Sequence, residues 1–145
     1  MIIDNTKNQF TAFTVSDAET RKVIADFLEM GLADNIIAMF RQDETLYDWT
    51  GMLLNDERFM VRMGLVVVFE ELVKTEGAAK TARAIDALLP LLGGEAPAYV
   101  RGEAVTILGL IGTGEAMRHI RPLRNDPDAQ VREIVNDLLA DSQEP

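Results

Sequence analysis

The fold class this sequence predicts is all-helical: a stack of helical hairpins. Three observations carry it. A short pattern recurs, in which Asp56 precedes Val61-Arg62, Glu95 precedes Val100-Arg101 and Asp126 precedes Val131-Arg132, each at the same offset. Apolar residues keep register with each Arg. Three positions on lie Leu65, Ala104 and Val135, six on Val68, Ile107 and Leu138, and seven on Phe69, Leu108 and Leu139. Those offsets make one stripe at helical periodicity. The successive Arg-to-Arg spacings are 39 and 31 residues, within the range of roughly 30 to 45 that marks helical solenoids. A second apolar stripe precedes each pattern, as Leu46, Trp49 and Leu53, then Ile85, Leu88 and Leu92, then the weaker Ala116, His119 and Leu123. A lone hairpin cannot bury both stripes, so neighbours must stack.

The elements follow in order. Residues 1–15 form an N-terminal arm that reads as a short extended stretch at most, because Phe10, Thr11, Phe13, Thr14 and Val15 are aromatic or β-branched. Its apolar residues Ile2, Ile3, Phe10, Phe13 and Val15 are too many for a free polar tail. The arm is expected to fold back over the first helices, with Phe10 and Phe13 as anchors. Residues 16–145 are a single helical-repeat domain. Ser16 and Glu19 form a capping-box pattern that opens a helix ending at Gly31. Further helices are expected over about 34–42, 46–54, 58–75 and 78–92, the last ended by Gly93-Gly94. Pro97 sits in the first turn of a helix reaching about Leu110, where proline is tolerated. Gly112-Thr113-Gly114 breaks the chain before a short helix to about Leu123, and Asp126-Pro127 opens the last, to about Ala140. Short links make neighbouring helices antiparallel.

Leu89-Pro90-Leu91-Leu92 with Glu95, Val100-Arg101 and Ala104 resembles a HEAT repeat. Leu123, Asp126-Pro127-Asp128, Val131-Arg132 and Val135 resemble the short HEAT-like form also found in phycobilisome lyases. The similarity covers about residues 46–140; Arg21, with Ile24, Phe27 and Leu28 behind it, fits in part. The resemblance implies an α-α superhelix of about three to four helix pairs. It says little about chemistry, because members of the family mostly bind other macromolecules.

Composition sets bounds. The 145 residues make one domain with room for a continuous core, and the apolar content is 48%. The net charge is −10, with the acids spread evenly along the chain. Such a surface disfavours nonspecific binding to nucleic acid or anionic membrane. The absence of cysteine excludes disulfides and thiolate metal sites. No signal peptide and no apolar run of about 20 residues is seen, so the cytoplasm is the expected location.

Few residues stand out as chemistry. Arg62, Arg101 and Arg132 read as a structural ladder, bonded to Asp56, Glu95 or Asp126 or to carboxylates and carbonyls of the next repeat; a row of anion sites is the competing reading. Arg118, Arg121 and Arg124 form the one dense basic cluster, suited to a phosphate or carboxylate or to acids on the adjacent repeat. His119, the single histidine, replaces Trp49 and Leu88 in register and is expected to be half-buried and hydrogen-bonded. Trp49 is in core register, which leaves Tyr47 and Asp48 to face a partner. Glu133, Asp137 and Asp141 read as a solvated outer face. Gly109, Gly112 and Gly114 follow a helix and lack a Gly-Lys-Ser/Thr sequence, which argues against a phosphate loop.

No nucleophile stands with a base, and nothing points to a cofactor or metal. The expected function is therefore a non-catalytic protein–protein interaction module, a small HEAT-like adaptor or scaffold, as monomer or homodimer. The alternative, drawn from the lyase resemblance, is an accessory lyase-like or chaperone-like factor cradling a client protein. Nucleic-acid binding ranks below both, since it calls for a basic concave face.

Overall fold

The structure is a computed structural model that describes the backbone of residues 5–142 and the side chains from residue 17 onward. Its described residues are helical with no strand. Helix α1 (Asn5–Glu29) and α2 (Ala33–Gln42) are joined by a turn at Gly31, whose φ of 81° only glycine adopts readily. A 3-10 segment, Glu44–Trp49, runs into α3 (Thr50–Leu54). Helix α4 (Phe59–Glu76) follows. The next stretch alternates α5 (Ala78–Thr81), a 3-10 turn, α6 (Ile85–Leu88) and the 3-10 turn Leu89–Leu92. Then come α7 (Ala98–Ile111), α8 (Gly114–Ile120) with the 3-10 turn Arg121–Asn125, and α9 (Ala129–Asp141).

One row of packing runs through α4, α7 and α9. Helix α4 lies against α1 and α2 on one side and α7 on the other, and α7 lies against α9. A second row is formed by α3, which packs on α4 and α6, and by α8, which packs on α7. The core between the rows contains Leu65, Val68, Phe69, Ala104, Ile107, Leu108, Val135 and Leu139, all buried as the stripe requires. Leu138 departs from the expectation and is only partly buried. It presses on α7 at Gly109, where a methyl would meet its Cδ2 at 2.6 Å.

Small residues set the closest approaches. Gly51 on α3 faces the Ala87 carbonyl so tightly that a Cβ would stand 2.1 Å from its oxygen. Gly64 on α4 meets Leu28 of α1, and Gly102 on α7 meets Ile134 of α9. Gly112 ends α7 with φ 70° and donates its N–H to the Leu108 carbonyl, as a C-terminal glycine does. Thr113 and Asp128 then cap α8 and α9 by accepting from Ala116 N–H, and from Gln130 and Val131 N–H.

Two local expectations are corrected. The chain is helical from Asn5, so 5–15 is not extended and Ser16 does not open a helix, while residues 1–4 of the expected arm lie outside the described residues. No glycine or proline interrupts 5–29, and a continuous helix outweighs the local β preference. The folding-back of Phe10 and Phe13 falls on side chains outside the described residues, as do Ile2 and Ile3. The segments expected over 46–54 and 78–92 are helical, the first already from Glu44, but partly 3-10, which rotates their side chains away from α-helical register.

Candidate functional site

The arginine ladder comes first because it holds the helix row together. Arg62 on α4 is buried, donates Nε–H to Glu103 of α7 at 2.6 Å, and donates from Nη1 to the carbonyls of Asp56 and Glu57 at 2.8 and 2.9 Å. Arg101 on α7 is buried too, and donates from Nε and Nη2 to the two oxygens of Asp126 at 2.8 and 2.9 Å and from Nη1 to the Ala96 carbonyl. Arg132 on α9 donates to the Asp126 carbonyl at 2.7 Å. Each arginine thus satisfies carbonyls of its own inter-helix turn. Arg62 also reaches a carboxylate on α7, and Arg101 one in the segment before α9. The carboxylate partners are Glu103 and Asp126, where the spacing alone left Asp56, Glu95 and Asp126 open.

The two carboxylates respond oppositely to this setting. The Arg101 guanidinium holds Asp126 below the ordinary carboxylate value, helped by the Asp128 N–H and opposed by burial. Burial pushes Glu103 above its ordinary value, against the pull of Arg62. The bidentate geometry at Asp126 and the single bond at Glu103 account for the difference.

Around Arg62 the surface changes character. Its guanidinium carbon lies 4.3 Å from the Tyr99 ring centroid and 5.8 Å from that of Phe59, a cation–π arrangement. Yet Phe59, Met60 and Tyr99 remain 59%, 51% and 49% exposed. A shallow groove of about 240 Å³ opens beside them, lined by Phe59, Arg62, Tyr99, Glu103, Gln130 and Ile134 among others. Three successive helices of one row, α4, α7 and α9, therefore supply its walls. Val67, also exposed, continues the apolar line along α4.

These residues were not among the candidates from sequence. A signal existed. Met60 and Tyr99 sit two positions before their ladder arginines, and Phe59 three before, off the core stripe. A large apolar residue that the core register does not require is a surface residue to be explained.

The candidates from sequence are placed elsewhere. Tyr47 does not face a partner: it is 0% exposed, packed edge-to-face against Phe40 and Phe69 with centroids 5.2 and 6.0 Å away. The 3-10 winding of 44–49 turns Tyr47 inward and leaves Trp49 only partly buried. The Tyr47 hydroxyl finds no hydrogen-bond partner, and burial, with Glu76 and Glu44 adding to it, pushes its pKa up to about 12. Asp48 is exposed as expected, but Arg83 grips both its oxygens at 3.0 and 2.9 Å. Arg118 and Arg124 are exposed and Arg121 half-buried, on α8 and the turn after it. They stand apart from the groove lining. His119 is half-buried, as expected, but no hydrogen bond to it is found among the described residues. Glu133, Asp137 and Asp141 are exposed.

Among the described residues no helix is long and apolar enough to cross a membrane, and no cluster of three potential metal ligands occurs. Comparison with models of known protein families, with curated proteins and with solved structures finds no match.

Proposed function

We propose that the chain is a non-catalytic HEAT-like α-solenoid, a small adaptor that holds a protein partner along the face built by α4, α7 and α9. The observation that carries this reading is the half-exposed pair Phe59 and Tyr99, which line a groove with Arg62 and Glu103, with exposed Met60 next to Phe59 in the chain. Aromatic residues and methionine are the side chains enriched in protein interfaces, and Tyr99 is already held in place by the arginine beneath it. The recurring acid and Val-Arg pattern, the row of α4, α7 and α9 and the cross-hairpin bonds support the solenoid. The groups with shifted pKa sit in arginine–carboxylate pairs, a lysine–carboxylate pair or the aromatic core, a distribution that suits a structural role better than acid–base chemistry.

The test is site-directed photocrosslinking. A benzophenone amino acid at position 99 in the full chain is expected to trap a protein partner, and the same probe at position 86, on the α6 side, is not. Binding of that partner to the purified chain should then be lost in Tyr99→Asp and kept in Asp86→Lys. Crosslinks that form from position 86 and not from 99 would move the interface to the other row and end this reading.

A further inference from the structure

The apolar trio has charged surroundings, and their balance argues for one kind of occupant. On α4, Glu70 follows Val67 by three residues and so shares its helix face. On α9, Asp137 and Asp141 follow the groove residue Ile134 by three and seven, and share its face in the same way. Glu57 precedes Phe59 at the groove's edge. All four acids are exposed, and none takes part in an ion pair among the described residues. The cations on this row are largely committed: Arg62 is buried on Glu103 and Arg132 bonds a carbonyl, which leaves Lys74 exposed. Some surface acids elsewhere meet base, as in Asp48 with Arg83, Glu44 with Lys80, and Asp26 with Lys22 and Arg58, and others, such as Asp34, Asp86 and Glu115, do not. The exposed aromatic and methionine side chains thus lie on a face with four acids outside any ion pair among the described residues, of which Glu70 alone shares a groove with cations, Arg41 and Lys74.

We propose that this face takes a basic amphipathic segment of a partner protein. Its apolar side chains cover Phe59, Met60, Val67 and Tyr99, and its lysines or arginines lie against Glu57, Glu70, Asp137 and Asp141. The proposal rests on the docking face described above and adds the chemistry of what docks. Apolar cover alone would accept any hydrophobic peptide. The unpaired acids select a cationic one and reject an acidic one through like-charge repulsion. A negative field also speeds the encounter, so the preference should weaken with added salt.

The experiment uses the full chain and three labelled amphipathic helices of about 18 residues, alike in their leucine face. Their polar faces carry lysine, glutamine or glutamate. Fluorescence anisotropy is expected to show the lysine peptide binding at least about tenfold more tightly than the glutamine one, and no binding of the glutamate one. Tyr99→Ala should weaken the lysine peptide about tenfold. The double variant Glu70→Lys, Asp137→Lys should weaken it further and admit the glutamate peptide. Asp86→Lys, an acid on α6, should leave its affinity within about twofold. Circular dichroism and melting curves show that each variant is folded. If Asp86→Lys weakens binding as much as the groove variants, the attraction is diffuse net charge and the proposal fails. Equal binding of all three peptides, still lost in Tyr99→Ala, would keep the docking face and refute its preference for cations. No binding by any peptide refutes the proposal while leaving the position 99 crosslink to decide the docking face. If sedimentation shows a dimer that Tyr99→Asp converts to monomer, the occupant is a second copy of this chain and the proposal is overturned.

Discussion

Arg101 and Asp126 lie almost wholly out of water; Arg101 donates two hydrogen bonds to the carboxylate, which also accepts from the Asp128 N–H. Removing one partner strands the other charge where solvent cannot reach it. Arg101→Ala should therefore cost roughly 3 to 5 kcal/mol, seen as a melting temperature lower by about 10 °C or more; an unchanged melting temperature would return the ladder to the anion-site reading. Tyr47→Phe should act in the opposite sense. It deletes a buried hydroxyl with no partner and keeps the ring between Phe40 and Phe69. A gain of about 1 kcal/mol is expected in urea denaturation, and a loss would mean the hydroxyl is satisfied in solution. At this scale the sequence was legible where a residue type recurs in register. The arginines announced themselves by spacing, whereas their carboxylate partners are 41 and 25 residues away and follow from tertiary packing. An α-helical register places Tyr47 at the surface, and the 3-10 winding of 44–49 brings it into the core instead.

Helix pairing depends on where side chains are missing as much as on where they pack. At Gly51 the α3 backbone rests on the Ala87 carbonyl, so a methyl at 2.1 Å has only backbone to push against. Gly51→Ala should cost roughly 1 to 3 kcal/mol. Gly94→Ala, where a Cβ meets nothing within 4 Å, should leave stability unchanged or slightly higher. Equal melting curves for the two variants would show that α3 and α6 are not in close contact. Helix existence and order after residue 31 could be read from periodicity, glycines and capping residues, because those signals are local. The start of α1 could not. Threonines and aromatics between 6 and 15 weigh toward extended backbone, and continuity with the helix beyond them decides the matter. The groove was invisible for a related reason: it belongs to no element, and its walls come from α4, α7 and α9 together.

Across the whole molecule the net charge of −10 opposes any polyanion. Duplex DNA should bind weakly or not at all near physiological salt, and residual binding should run through the exposed Arg118 and Arg124. A submicromolar Kd in a filter or anisotropy assay at that salt would contradict the acidic docking face as well. The same evenness of charge hid that face in the sequence. Composition shows how many acids there are, and only the fold shows which of them are left without a cation.

The ladder's two rungs also differ in how they meet acid. Asp126 has a lowered pKa, so its contribution is present above the ordinary value of 3.8 and is lost as pH falls through the lowered one. Glu103 has a raised pKa, and its folded form prefers the proton. Its effect on stability therefore grows more favourable as pH falls through the raised value toward 4.5. Acidification below pH 3.8 should loosen the seam between α7 and α9 and spare the one between α4 and α7. Disassembly would then have a direction. Amides of α9 should lose protection from hydrogen exchange first below about pH 4, while those of α4 hold, and Asp126→Asn should show the same early opening already at neutral pH.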